Sequence, residues 1–293
     1  MKTYFDCVPC FLRQALDLAR FVTDDETIHE NVIREVLRKA STINLSDTPP
    51  AMGQHIHRLV RQMTNNDDPY RQVKDTYNRF ALDIYDEMTN KITSADNPFD
   101  TAVRLAIAGN IIDFGPQSHL THQQVTQTIE ECFTAELSAD AVARLQQAIL
   151  DADNILYLAD NAGEIVFDRL LIEQLPHDKI TLAVKGGPVI NDATMHDAET
   201  AGLTTLVDVI DNGSDAPGTI LTDCSDSFRK HFQQADLIIA KGQGNYETLS
   251  GADANIFFLL KAKCPIIAQH LDVPLGSLVL TTTQPQQTDL VSA

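Results

Sequence analysis

From Asn154 onward the chain alternates short, mostly apolar runs with amphipathic stretches, and this alternation restricts the fold more than any other feature. The runs are Ile155–Ala159, Ile180–Val184, Leu206–Ile210, Leu237–Ala240 and Ile256–Leu260. Between them "EIVFDRLLIEQL", "ATMHDAETAG" and "DCSDSFRKHFQQ" read as helices. A run with no polar alternate belongs to a strand buried on both faces, the usual condition of a parallel sheet covered by helices. The expected class is α/β: a doubly wound, mainly parallel sheet in a Rossmann-like three-layer α/β/α arrangement.

Upstream the period changes. Leu12, Ala15, Leu16, Ala19 and Val22 recur at helical spacing, as do Ile28, Val32, Ile33, Val36 and Leu37. "PAMGQHIHRLVRQM", "YRQVKDTYNRFALDIYDEM", "FDTAVRLAIAGNII" and "ADAVARLQQAIL" continue the series, with Asp47-Thr48-Pro49-Pro50 and Asp67-Asp68-Pro69 as breakers. The expected division is a helical domain over 1–151, an α/β domain over 152–280 and a polar, disordered tail over 281–293.

The loops that follow the strands carry the chemistry. Asp160-Asn161-Ala162-Gly163-Glu164 follows the first run, "KGGPVINDAT" (Lys185 to Thr194) the second, "DNGSDAPGT" the third and "KGQGNYETL" (Lys241 to Leu249) the fourth. In a parallel sheet these loops emerge at one edge, beyond the carboxyl ends of the strands, where open α/β sheets bind ligands. Asx and Gly at such turns also cap helices in proteins that catalyse nothing; four such loops at one edge favour a shared site. Asp160, Asn161 and Asp192 form a hard-cation set of two carboxylates and an amide oxygen. Lys185 and Lys241 are placed to meet phosphate, and Gly186, Gly187, Gly242 and Gly244 would let backbone amides approach an anion.

Charge decides what such a site can hold. With 22 Lys and Arg against 41 Asp and Glu, the formal net charge is −19, which repels nucleic-acid backbones and anionic membranes. Phosphate can be handled only where a cation or a few placed lysines reverse the sign locally. No apolar run approaches the roughly 18 residues of a membrane helix, and "MKTYFDCVPC" lacks a signal-peptide apolar region, so the expected location is cytoplasmic. Five scattered cysteines do not suit a secreted disulfide framework. Competing fingerprints fail: no G-x-G-x-x-G follows the first strand, "GQGNYE" lacks its third glycine, and no GxxxxGK[ST] occurs. "DNAGE" lacks the second carboxylate expected of aspartyl-phosphate chemistry, so Asp160 suits a ligand better than a nucleophile.

At these loops the chain resembles a known family. "LADNAGE", "KGGPVINDAT", "AKGQGNYETL" and "LLKAKCP", with "CVPC", "DPYRQVK" and "AIAGNIIDFG" in the helical half, are similar to motifs of the metal-dependent damage-control phosphatases. These were formerly domain-of-unknown-function family 89; the likeness is to the prokaryotic, cysteine-pair subgroup and spans Tyr4 to Leu280. It implies hydrolysis of phosphate monoesters on small metabolites, including sugar phosphates and damaged phosphometabolites, with Mg²⁺, Mn²⁺, Co²⁺ or Ni²⁺. Asp160, Asn161 and Asp192 match its metal ligands, and Lys241 its phosphate-contacting lysine, with Gly242–Asn245 beside it. Some members carry an acidic residue where this chain has Gln243 or Gly244.

Several residues keep two readings. Asn110 and Asp113, i and i+3 at a helix end before Gly115-Pro116, either cap that helix or reach over the sheet edge to close the pocket. Glu164 either orients the nucleophilic water or caps its turn, and Lys261 or Lys263 either helps neutralise substrate or is a solvated charge. Cys7-Val8-Pro9-Cys10 is a reduced structural pair, part of a second metal site with His55 and His57, or a redox pair. Function divides similarly: a metal-dependent phosphatase, a phosphometabolite-binding module without turnover, or a methyltransferase, whose glycine-rich first loop is missing.

Overall fold

The computed structural model describes residues 1–109 and 122–283. Asn110 and Asp113 lie outside the described residues. The helical half consists of α1 (Cys7–Val22), α2 (Glu26–Ala40), α3 (Pro49–Thr64), α4 (Arg71–Asp83), α5 (Tyr85–Thr93), α6 (Pro98–Gly109), α7 (His122–Thr134) and α8 (Ala139–Asp151). Local chemistry sets their starts. Asp25 accepts a hydrogen bond from Thr27 N at 2.8 Å, Ser138 accepts one from Ala141 N, and prolines open α3. The stretch "YRQVKDTYNRFALDIYDEM" is two helices rather than one. Ile84 leaves helical geometry (φ −103°, ψ 2°) and is itself buried in the core.

The α/β half then runs β1 (Ile155–Leu158), α9 (Glu164–Ile172), β2 (Ile180–Val184), α10 (Met195–Thr200), β3 (Asp208–Asp211), α11 (Asp226–Gln234), β4 (Leu237–Lys241), α12 (Gly242–Leu249), β5 (Ile256–Lys261), α13 (Pro265–Leu271) and β6 (Leu278–Thr282). The sheet order is β3-β2-β1-β4-β5-β6, parallel throughout except for β6, which pairs antiparallel to β5. The expected doubly wound, mainly parallel sheet is therefore present. Two elements differ from expectation. β6 crosses the position where the tail was expected to begin, and "GQGNYETL" is the helix α12, not a loop.

Period-two alternation sorts the strand residues between two cores. Ile155, Tyr157, Leu182, Leu237, Ile239 and Leu259 face a core shared with α4–α6, α8 and α9. Leu156, Leu158, Ile238, Ala240, Phe258 and Leu260 face a second core closed by α11, α12 and α13. Helices α4–α8 thus form one layer of the α/β unit, whereas α1–α3 bury their own cluster of Phe11, Leu18, Val32, Val36, Ile56 and Val60. That three-helix unit is tied to the loop after β3 by Asp215. Its carboxylate takes Arg58 Nε at 2.9 Å and Gln54 Nε2 at 2.8 Å, and also pairs with Arg61.

Candidate metal and phosphate site

Chain order reverses between β1 and β4, and a doubly wound sheet opens a crevice at such a point. Asp160 and Asn161 follow β1 there. The loop carrying Asp192 is zipped onto them: Ala193 N donates to Asp160 O at 2.8 Å, Ala162 N donates to Asn191 O at 2.8 Å, and Asn161 and Asp192 form a β-bridge. The three oxygen-bearing residues singled out in the sequence are thereby brought side by side. Gly242 closes the crevice from β4. It has φ +77°, and a Cβ there would overlap the Asp160 carboxylate, so only glycine fits.

Side-chain orientation follows from what each group already bonds. Asn161 Nδ2 donates to Asp160 Oδ2 at 2.6 Å and to Glu164 Oε2 at 2.8 Å. With its nitrogen held by two carboxylates, the amide presents Oδ1 as its remaining acceptor. Asp192 is 3% exposed, and its Oδ2 is buried without a hydrogen bond, the Lys185 ammonium standing 3.4 Å away. Burial pushes the Asp192 carboxyl up to about 6 despite that lysine, and burial with Glu164 and Asp192 as neighbours raises Asp160 well above the usual range.

Two expected substrate contacts lie elsewhere. Lys241 is fully buried beneath the crevice, donating to Glu164 Oε1 at 2.7 Å, Asp168 Oδ1 at 2.6 Å and Ala106 O at 2.8 Å. Burial opposes its charge, but the two carboxylates outweigh that and raise its pKa. Its three N–H donors are spent internally, so it is a counter-ion to the site rather than a phosphate contact. Strand alternation explains the direction, since Lys241 points the same way as Leu237 and Ile239, into the core shared with α9. Asn245 is also fully buried, donating to Lys241 O at 2.8 Å and accepting from Thr219 Oγ1 at 2.8 Å.

Glu164 starts α9 without making a side-chain cap; its oxygens engage Lys241 and Asn161. Lys185 donates to Gly218 O and stands behind Asp192. The amides of Gly186 and Gly187 are taken by Ser214 O, so the glycines after β2 shape their own loop rather than an anion cradle.

Four residues that sequence reasoning passed over complete the frame. Asp168, one turn after Glu164 in the otherwise apolar "EIVFDRLLI", accepts from Tyr157 Oη at 2.7 Å as well as from Lys241. A carboxylate inside an apolar helix was the available signal. From α4, Asn78 Oδ1 accepts from Gly163 N at 2.7 Å while its Nδ2 donates to Asp197 Oδ1 at 2.8 Å. Lys74 pairs with Asp197 at 2.8 Å. One helix thus clamps the loops after both β1 and β2.

The ligand set opens into a cleft of about 630 Å³ whose far wall is the three-helix unit, through Cys7, Cys10, Pro50 and Gly53. Lys263 is the lining Lys or Arg among the described residues and is exposed. Neither His55 nor His57 lines it. Around the crevice, four carboxylates (Asp160, Glu164, Asp168, Asp192) face two buried lysines (Lys185, Lys241), a formal excess of two negative charges. Oxygen donors, a buried carboxylate oxygen without a hydrogen bond and that excess fit a hard divalent cation.

Comparison with known proteins agrees with this architecture. The profile of the Damage-control phosphatase ARMT1-like domain matches residues 3–279. The chain is 40% identical to the uncharacterized protein MJ0202 of Methanocaldococcus jannaschii (94% of this chain, 93% of the relative). It is 37% identical to the damage-control phosphatase PH1575 of Pyrococcus horikoshii (95% and 97%) and 35% identical to a damage-control phosphatase of Archaeoglobus fulgidus (93% and 96%). The crystal structure of PH1575, described as a DUF89 family protein, superposes with a TM-score of 0.89 at 35% identity, covering 97% of this chain and all of that one. With the family model matching residues 3–279 and relatives at 35–40% identity covering nearly its whole length, the chain belongs to the damage-control phosphatase family.

Proposed function

We propose that the protein is a divalent-metal-dependent phosphatase acting on small phosphorylated metabolites, sugar phosphates and damaged phosphometabolites among them. The observation that carries this reading is the convergence of Asp160, Asn161 and Asp192 at one sheet edge, with Asp192 Oδ2 buried without a hydrogen bond and 3.4 Å from Lys185. These three residues would hold Mg²⁺, Mn²⁺, Co²⁺ or Ni²⁺, and a bound cation of this kind neutralises phosphate charge and lowers the pKa of water.

The chain's own residues do the rest. Lys241, itself braced by Asp168, holds Glu164, which holds the Asn161 amide with its oxygen directed outward. Helix α12 begins at the crevice, so its first-turn amides and the positive end of its dipole favour an anion there. Lys263 meets the substrate phosphate from the cleft wall. Closure by the three-helix unit limits water around the reacting phosphate, which strengthens these interactions.

The test is phosphate release from p-nitrophenyl phosphate and a sugar-phosphate panel by chelator-stripped protein, with each of the four metals added back. Turnover that requires metal and vanishes in Asp160→Ala supports the reading. Turnover undiminished by chelation, or none with any metal, rejects it.

A further inference from the structure

Three cysteines that the phosphatase reading does not use share the cleft. Cys7, Cys10 and Cys264 all line it, whereas Cys132 and Cys224 are buried. The exposed and half-buried thiols among the described residues therefore share one cavity. Cys7 and Cys10 open α1 as its first and fourth residues. In an α-helix, positions i and i+3 lie on one face with Cα atoms about 5 Å apart, inside the 4.4–6.8 Å span that a disulfide needs.

Other roles for the pair meet obstacles. Among the described residues no group of three or more His, Cys, Asp or Glu side chains is arranged to hold a metal ion, so Cys264 does not complete a thiolate site with them. The helix start is not an anion cradle either. Cys7 N donates to Tyr4 O at 3.0 Å, Val8 N donates to Phe5 O at 3.1 Å, and Pro9 has no N–H. Packing accounts for Cys7, which touches the α1–α3 cluster, but not for the exposed Cys10, whose one side-chain hydrogen bond is a 3.5 Å contact from Gln14.

We propose that Cys7 and Cys10 form a reversible dithiol–disulfide site on the rim of the cleft, oxidised by a peroxide-class oxidant. One thiolate attacks a peroxide oxygen, forming an S–O bond as the O–O bond breaks and the first water leaves. The second sulfur displaces that oxygen as another water, forming the S–S bond. Two thiols lose two electrons and two protons in total, and one hydrogen peroxide becomes two waters. Two equivalents of a small-molecule thiol then restore the pair by exchange through a mixed disulfide, leaving as their own disulfide. Burial is the main reason both thiols sit above their ordinary pKa, so the pair rests protonated at neutral pH and its oxidation quickens as pH rises.

The test uses the full-length protein, reduced, freed of metal by chelation and exposed to hydrogen peroxide, then alkylated and mapped by mass spectrometry. The expected product is a peptide holding Cys7 and Cys10 that is lighter by two hydrogens, resists alkylation and recovers on dithiothreitol treatment. Cys10→Ser, whose fold is checked by circular dichroism, abolishes that species and leaves Cys7 alkylatable or further oxidised. A disulfide joining Cys264 to either residue overturns the assignment. So does a Cys7–Cys10 peptide that remains fully alkylated, or that gains oxygen without ever losing hydrogens. None of these readouts depends on turnover.

Discussion

Replacing Lys241 with methionine separates two roles for this lysine. Its ammonium lies 2.7 Å from Glu164 Oε1 and 2.6 Å from Asp168 Oδ1, and all three side chains are fully buried. Methionine fills most of the volume, so the loss is electrostatic: two carboxylates remain buried without their counter-ion. Breaking such a pair from one side costs about 3–5 kcal/mol, and for a chain of this size that lowers Tm by on the order of 10 °C. The deficit has a defined pH dependence. Asp168 already titrates at about 6, pushed up by burial, and removal of Lys241 raises it further. A carboxyl whose folded pKa exceeds its unfolded value stabilises the fold below the unfolded value and loses that contribution as pH rises through the folded one. The Tm gap between wild type and Lys241→Met is therefore wider at pH 8 than at pH 5. Differential scanning calorimetry at the two pH values measures it. An unchanged Tm with a raised KM would show that Lys241 meets the substrate and would refute its role as a buried counter-ion.

Three further outcomes follow from the same site. Asp192→Asn should leave Tm in chelator little changed at pH 8, because relief of the buried Asp192 charge offsets the loss of its pairing with Lys185, yet abolish metal-dependent stabilisation in a thermal-shift titration with Mn²⁺. For the wild type, Mn²⁺ at 100 times its Kd should add about 2.7 kcal/mol of stability at pH 8. That gain should shrink as pH falls through 6, where protons compete for Asp192; a pH-independent gain would place the ion elsewhere. Lys263→Ala, at an exposed position on the cleft wall, should raise KM for phosphorylated substrates with kcat and Tm little altered, as steady-state kinetics and calorimetry can show.

Strands β1, β2, β4 and β5 were legible because burial on both faces leaves a mostly apolar run; β3, expected over Leu206–Ile210, lies instead at Asp208–Asp211, where no residue is buried. β6 was not legible. It is an antiparallel edge strand whose "LVLTT" is only partly buried and merges into a polar tail. Helix α12 was hidden by Gly242 and Gly244, poor helix formers. Both are required by close approach, Gly242 to the Asp160 carboxylate and Gly244 to the backbone at Gly218. That Asp160, Asn161 and Asp192 converge could be read from the sequence, because loops after parallel strands share an edge. Which way Lys241 points could not, since that depends on the carboxylate of Asp168 waiting inside α9. The partners of Cys7 and Cys10 were equally out of reach, as nothing local sets α1 opposite α13 across a cleft.

The separate core of α1–α3 bears on how this enzyme family can diversify. Asp160, Asn161, Asp192 and their clamp rest on the sheet and α4, whereas the opposing wall has its own core and is fastened in part through Asp215. Sequence drift in that wall can reshape the space facing a substrate without loosening the clamp, because the two sets of buried side chains form separate clusters. Recombination between relatives could then exchange one cap for another while the hydrolytic centre stays intact, provided the arginine pair that grips Asp215 travels with the cap.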